Sequence, residues 1–158
     1  MKTSPASHLL CCPVVFISTS HGNQRDIMIA TAMFVSEKDP FLVVSVAKGH
    51  LTSQLIDKAG GFTVVAASEG QKDLYKQLVK IKGSDADKFK ALSISTIAGE
   101  PGKPLIPKGS AAWVECKTIA KHEVDKYVVI TAHVTNSKDL RKSPLVWKRQ
   151  GLFSIKPL

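Results

Sequence analysis

Apolar and β-branched residues come in short runs along the chain, at 13–19, 27–35, 41–47, 62–67, 94–98, 111–120, 127–136 and 151–155, separated by Gly, Pro, Asp or Ser. Such runs are strand signals, and their number predicts a mainly β domain. Three short helices are expected between them. Thr52 is a natural N-cap for a helix ending at Gly60-Gly61. Ser68 caps an amphipathic helix with Leu74, Leu78 and Ile81 on one face, and Ser84-x-x-Asp87 opens a third that bears Phe89 and Leu92. The stretch AGEPGKPLIPKGS (98–110) holds too much Pro and Gly for regular structure and reads as a loop. Long strands with few acidic positions suit closure into a barrel, which removes exposed edges. A small barrel has little room inside, so a large planar ligand would lie against its outside. An apolar outer face there would be covered by a second subunit.

At 158 residues the chain has the size of one domain, taken as 1–158 with residues 1–12 as an N-terminal extension. A hydrophobic fraction of 44% beside 22% charged residues fits a globular protein that needs no disulfide or metal staple. No apolar run reaches the roughly 20 residues that span a bilayer. The start MKTSPASHLLCCPVV lacks a long h-region, so a cytoplasmic protein without membrane association is expected. Cys11 and Cys12 are adjacent and Cys116 is remote, which gives neither an even disulfide set nor a C-x-x-C spacing. Free thiols are expected, with Cys116 in a buried strand. The balance of 22 Lys and Arg against 13 Asp and Glu gives +9, with six basic residues and one acidic between 138 and 158. This charge reads either as a solvated surface or as an attraction for phosphorylated cofactors or an acidic redox partner. Nucleic acid is not expected, because the basic residues are dispersed, aromatics are only 6%, and no stacking motif or recognition helix accompanies them.

One spot gathers the parts of an anion site. Lys48 directly follows the run FLVVSVA, and Thr52 starts a helix four residues later, so an ammonium, a hydroxyl and backbone N–H groups converge, with Ser45 and His50 nearby. The same residues also read as a solvated lysine beside an ordinary helix cap. Other chemistries lack their motifs. His8, His21, His50, His122 and His133 form no H-x-x-x-H or Cys/His pairing, so no metal is expected. There is no G-x-S-x-G elbow, no Walker loop and no G-x-G-x-x-G fingerprint, so a nicotinamide would visit without a dinucleotide-binding domain of its own.

Taken in order, PVVFIST, DIMIATAMFVS, DPFLVVSVAKGHLTSQLI, GGFTVV, DADKFKAL, VECKT and PLVWKRQGLF resemble the flavin reductase-like family, from about Pro13 to the C-terminus. These are FMN-binding split barrels that include flavin and ferric reductases. The resemblance implies a mainly β split barrel of Greek-key type with a few short covering helices. It also implies FMN as cofactor, NADH or NADPH as transient substrate, and a homodimer with the flavin near the subunit interface. It places Ala30, Thr31 and Ala32 along the isoalloxazine, Lys48 and Thr52 at the phosphate with Ser45 and His50 nearby, and Val46 among the cofactor-binding residues. Trp147 matches a C-terminal aromatic that can reach a flavin, and reads equally as a core or interface residue. No catalytic side chain is implied, since the chemistry sits on the flavin. The chain departs from the family's N-x-M-T-x-S pattern at Asp26 and Ile29, and has Ala66 where an Asn often follows the F-x-V strand. A carboxylate at Asp26, if close to the ring, would lower the flavin's potential.

The expected function is therefore an FMN-binding oxidoreductase that passes electrons from NAD(P)H through flavin to free flavin, ferric iron or a protein acceptor. The alternative is an FMN-binding electron carrier without a nicotinamide site. An oxidase related to the pyridoxamine phosphate oxidases shares the barrel, but the sequence shows no substrate phosphate site for one.

Overall fold

The computed structural model describes residues 9–97, 105–149 and 151–158. The chain runs β1 Cys12–Pro13, β2 Val15–His21, β3 Gln24–Ala30, β4 Ala32–Ser36, β5 Phe41–Ala47, α1 Leu51–Ala59 and β6 Gly61–Ala66. It continues with α2 Lys72–Leu78, α3 Lys88–Ala91, β7 Thr96–Ile97, β8 Ile106–Pro107, β9 Ala112–Val124, β10 Tyr127–Asp139, β11 Leu145–Lys148 and β12 Gly151–Ser154. The main sheet has seven strands in the order β3-β2-β6-β9-β10-β5-β4. Its two edge strands, β3 and β4, are successive in the chain and separated by Thr31 alone, so the sheet curls until its two edges share that one corner, with no ladder between β3 and β4. This is the mainly β split barrel expected. The single strand expected over 27–35 is broken at Thr31, because one strand cannot serve both edges. Small neighbours Ala30 and Ala32 permit the bend.

Alternation decides what fills the barrel. Val15, Ile17, Val44, Val46, Val64 and Ile130 point inward, and Ile56 of α1 packs among them. A second core, built from Phe16, Ile27, Val65, Leu78, Phe89 and Leu145, joins the outer side of β2, β3 and β6 to α2 and α3. β2 is thus buried on both faces, which accounts for its unbroken run VFIST. Residues 98–104 of the expected loop lie outside the described residues. Part of the remainder is ordered as β8, which pairs with β7 and is pinned where Ser18 donates to the Leu105 carbonyl at 2.8 Å. The hairpin of β9 and β10 is longer than its expected strands and carries register shifts between Thr131 and Ala132 and between Val134 and Asn136. β11, absent from the expected strands, is held between β1 and β12 and carries Trp147 opposite Cys12.

The helix starts differ from expectation in an instructive way. α1 follows His50, and Thr52 lies inside the helix; the far end closes as expected on Gly60, whose φ of 69° lets its N–H reach the Ile56 carbonyl at 2.9 Å. Ser68 does cap its segment, its N–H donating to Gln71 Oε1 at 3.0 Å, but a 3-10 turn over Glu69–Gln71 comes first and α2 ends before Ile81. Asp87, not Ser84, caps α3, accepting the N–H groups of Phe89 at 3.0 Å and Lys90 at 3.3 Å. Asp87 also receives Arg25 Nε at 3.0 Å and 3.2 Å, and the guanidinium lies 4.9 Å from the centroid of the Phe89 ring.

Burial pushes the Asp87 carboxyl up, but the hydrogen bonds and charge of Arg25 and the cap N–H groups outweigh it and hold the group below the ordinary value of 3.8. A depressed folded-state value means a contribution that is present above 3.8 and lost as the pH falls through the folded value. Asp87→Ala is expected to cost about 1–2 kcal/mol at neutral pH, the typical worth of a cap. In urea titrations the gap to the parent chain should close as the medium is acidified; a gap independent of pH would remove the carboxylate from the explanation.

Among the described residues, no helix is long and apolar enough to cross a membrane. All three thiols are free, Cys11 exposed, Cys12 half-buried and Cys116 buried. Burial and the neighbouring Glu115 push the Cys116 thiol up to about 12, so it stays protonated and inert.

Candidate functional site

Where β3 gives way to β4, a cleft of about 350 Å³ opens on the outside of the barrel. Ala30, Thr31 and Ser45 line it together with Ile29 and Met28, and Tyr75, Tyr127 and Trp147 bring aromatic faces from α2, β10 and β11. No Asp, Glu, Lys, Arg or His is among its lining residues. Thr31 takes part in neither adjoining strand ladder, so its backbone polar groups are available to the edge of a planar ligand. Ser45 faces the cleft because the strand alternates: Leu42, Val44 and Val46 point into the barrel, and Ser45 points out.

A second cleft of about 260 Å³ lies at the end of β5, lined by Lys48, Gly49, His50 and Leu51 on one side and Lys82, Gly83 and Ser84 on the other, with Asp26 at its base. The first N–H groups of α1 have no partner within the helix and carry its partial positive charge. Ser45 and Lys48 are three strand residues apart, about 10 Å. The Lys48 ammonium donates to Glu123 Oε2 at 2.6 Å, and that hydrogen bond is the main reason the Glu123 carboxyl is held below its usual range.

Beneath this cleft sits a buried polar cluster. Lys88, 5% exposed, donates to the Ile27 carbonyl at 2.7 Å and lies 3.0 Å from Asp26 Oδ1, while Thr52 donates to Asp26 Oδ2 at 2.5 Å. A Cβ on Gly83 would meet Asp26 Oδ2 at 2.5 Å, so the loop can close over the carboxylate only without a side chain there.

The structure brings Ala30, Thr31, Ser45 and Trp147 together in the aromatic cleft, and Lys48 and His50 in the basic one. It does not bring in three others. Val46 is fully buried in the barrel interior, and Ala32 packs against that same core. Thr52 is fully buried with its hydroxyl committed to Asp26, so neither a cap nor a phosphate receives it. The departures also resolve. Asp26 borders the basic cleft, where Lys88 offsets its charge, rather than the aromatic one. Ile29 lines the aromatic cleft, and Ala66 is an ordinary ladder residue opposite Val15 and Ala112. Tyr75 and Tyr127 were missed. Strand parity through the register pair Tyr127 with Ala47 could have found Tyr127, since Ala47 shares the outward parity of Ser45; nothing local marks Tyr75.

A barrel that carries an uncharged aromatic cleft and a basic cleft beside it can take a planar ring in the first and an anion in the second. The chain belongs to the flavin reductase like domain family, whose model matches residues 7–156. An uncharacterized protein of Escherichia coli strain K12, YddH, is 30% identical over 121 residues, covering 72% of this chain and 64% of its own. A probable flavin reductase of Rhizobium meliloti is 28% identical over 141 residues, covering 89% of this chain and 43% of its own. The chain therefore spans less than two thirds of these relatives. The NADH:FAD oxidoreductase SgcE6 of Streptomyces globisporus C-1027 shares the fold with a TM-score of 0.84 at 16% identity, covering 95% of this chain and 89% of that one.

Proposed function

We propose that the protein is an FMN-dependent oxidoreductase that takes electrons from NADH or NADPH and delivers them to free flavin, a ferric complex or a protein acceptor. The observation that carries this reading is the pairing of the two clefts. An uncharged, aromatic-walled space suits a planar ring, and a basic space about 10 Å along the same strand suits the phosphate joined to that ring by a ribityl chain. Small residues at 30 and 31 let a ring approach the backbone, and the Thr31 backbone and Ser45 hydroxyl supply hydrogen bonds at its polar edge. Tyr75, Tyr127 and Trp147 shield it from water. Lys48, Lys82 and the start of α1 would hold the phosphate, with Lys48 exchanging Glu123 for the ligand. When bound, the flavin accepts a hydride and returns electrons to an acceptor. The chain supplies placement and electrostatics, since no carboxylate or imidazole lines the ring cleft.

The expected result is quenching of FMN fluorescence at micromolar protein and, under anaerobic mixing, bleaching of the flavin absorbance within seconds by NADH or NADPH. Bleaching by dithionite alone would replace the enzyme by an electron carrier. Failure to quench would end the flavin reading altogether.

A homodimer belongs to the same proposal. Met33, Phe34 and Val35, at 65%, 58% and 59% exposure, form an apolar ribbon on β4 directly after the cleft residues Ala30 and Thr31. A row of exposed apolar side chains on an edge strand is a ready template for pairing, and a second copy of this chain fits it. Sedimentation is expected at about twice the 17.1 kDa chain mass, falling toward the monomer for Phe34→Lys. A parent chain that sediments as a monomer while binding FMN would remove the partner from the site.

A further inference from the structure

The segment 68–84 touches three clefts in succession. Lys82–Ser84 borders the basic cleft already described, Tyr75 enters the aromatic cleft, and Ser68–Gln71 borders a third cleft of about 340 Å³ with Lys108, Gly109, Lys142 and Ser143. We propose that this third cleft is a second anion subsite, which takes the phosphate of a nucleotide whose ring visits the aromatic cleft.

Its position argues for this first. Gln71 and Tyr75 are one helical turn apart, about 6 Å of rise. On the opposite wall, Ser143 leads into β11, whose Trp147 stands in the aromatic cleft four residues on, about 13 Å if extended. The bridge of Ser68 with Pro144, and the Leu145 N–H to the Ala67 carbonyl at 2.8 Å, tie the two walls together. The third cleft therefore adjoins the ring cleft through elements different from those that lead to Lys48.

Its chemistry argues next. The space beside Gly109, where a side chain would begin, lies 3.9 Å from the Lys142 ammonium and 4.0 Å from the Gln71 amide nitrogen, so a cation flanks it on one side and a fixed amide closes the other. Gln71 is 5% exposed and held in place, accepting the Ser68 N–H at 3.0 Å and donating to Ser110 Oγ at 3.1 Å and the Lys108 carbonyl at 3.4 Å. Neither Lys108 nor Lys142 forms an ion pair among the described residues. The opposing charge is Glu69, whose carboxylate lies 3.9 Å from Lys72 on the same turn. The Lys142 ammonium, which has no ion pair among the described residues, stands with a second lysine, Lys108, on the wall of a glycine-lined space, and together they form a receptor for a phosphate or diphosphate.

This inference rests on the proposed flavin site, because that site assigns the flavin's own phosphate to Lys48 and leaves this subsite to a pyridine dinucleotide. Its test uses the full chain with Lys108→Gln and Lys142→Gln, singly and together, and three probes: ADP-ribose, which carries the diphosphate without a nicotinamide, and FMN and riboflavin by fluorescence quenching. The double variant is expected to weaken ADP-ribose roughly tenfold or more and to flatten its salt dependence, with FMN and riboflavin unchanged. Loss of FMN affinity with riboflavin unchanged would keep the subsite but give it the flavin's phosphate. ADP-ribose binding that ignores both lysines, or none by the parent chain, would overturn the proposal. A parent chain that binds ADP-ribose through these lysines and no riboflavin would keep the subsite while the flavin reading alone falls.

Discussion

Lys88→Met is expected to destabilise the fold by about 3–5 kcal/mol, because it strips the counter-charge from a buried carboxylate. Asp26 is 1% exposed, and the ammonium of Lys88 is its only cationic partner among the described residues. Without Lys88 the carboxylate retains the Thr52 hydroxyl alone, and the Ile27 carbonyl loses its donor. The penalty is that of desolvating an unpaired charge, far above the worth of any surface pair on this molecule. Asp26→Asn combined with Lys88→Met should recover most of the loss, since the amide keeps the Thr52 contact and carries no charge. Urea denaturation of the single and double variants measures the coupling. Costs below about 1 kcal/mol for Lys88→Met would show that water reaches the pair. The consequence extends to the basic cleft, because Asp26 forms its base and Gly83 fits only against that carboxylate.

The barrel was legible because its strands obey local rules. Alternation in FLVVSVA, the two-sided burial behind VFIST and the glycine stop at Gly60 are all visible in the chain itself. Applied strictly, the same alternation would have removed Val46 from the site, since residues 45 and 46 cannot face one groove. The break at Thr31 was not legible, because residues 27–35 read as one apolar run and only barrel closure demands a bend there. Thr52 looked like a cap because Thr at a strand-to-helix junction usually is one; its hydroxyl instead answers Asp26, 26 residues away. β11 escaped notice because four residues, Leu145–Lys148, flanked by Pro144 and Arg149 give no periodic signal, and its place depends on β1 and β12. The approach of Lys48 to the start of α1 was legible from spacing, yet its ion-pair partner was not, for Glu123 lies 75 residues from Lys48 and meets it only through the hairpin.

That counter-ion shapes the last expected result. Lys48→Met should weaken FMN by about 10- to 150-fold, roughly 1.5–3 kcal/mol for a hydrogen bond to a charged group, and leave riboflavin nearly unchanged because riboflavin has no phosphate. Glu123→Gln should do the reverse. The exposed carboxylate holds the ammonium at 2.6 Å in the free protein and must release it when a phosphate arrives, so its removal should tighten FMN by a few-fold and again spare riboflavin. In the double variant the benefit of Glu123→Gln should disappear, since no ammonium remains to be freed. Titrating both ligands against all three variants separates the possible roles of Lys48. Parallel losses of FMN and riboflavin would assign it to the fold of the β5–α1 junction, whereas a loss confined to FMN and reversed in sign by Glu123→Gln would assign it to the phosphate.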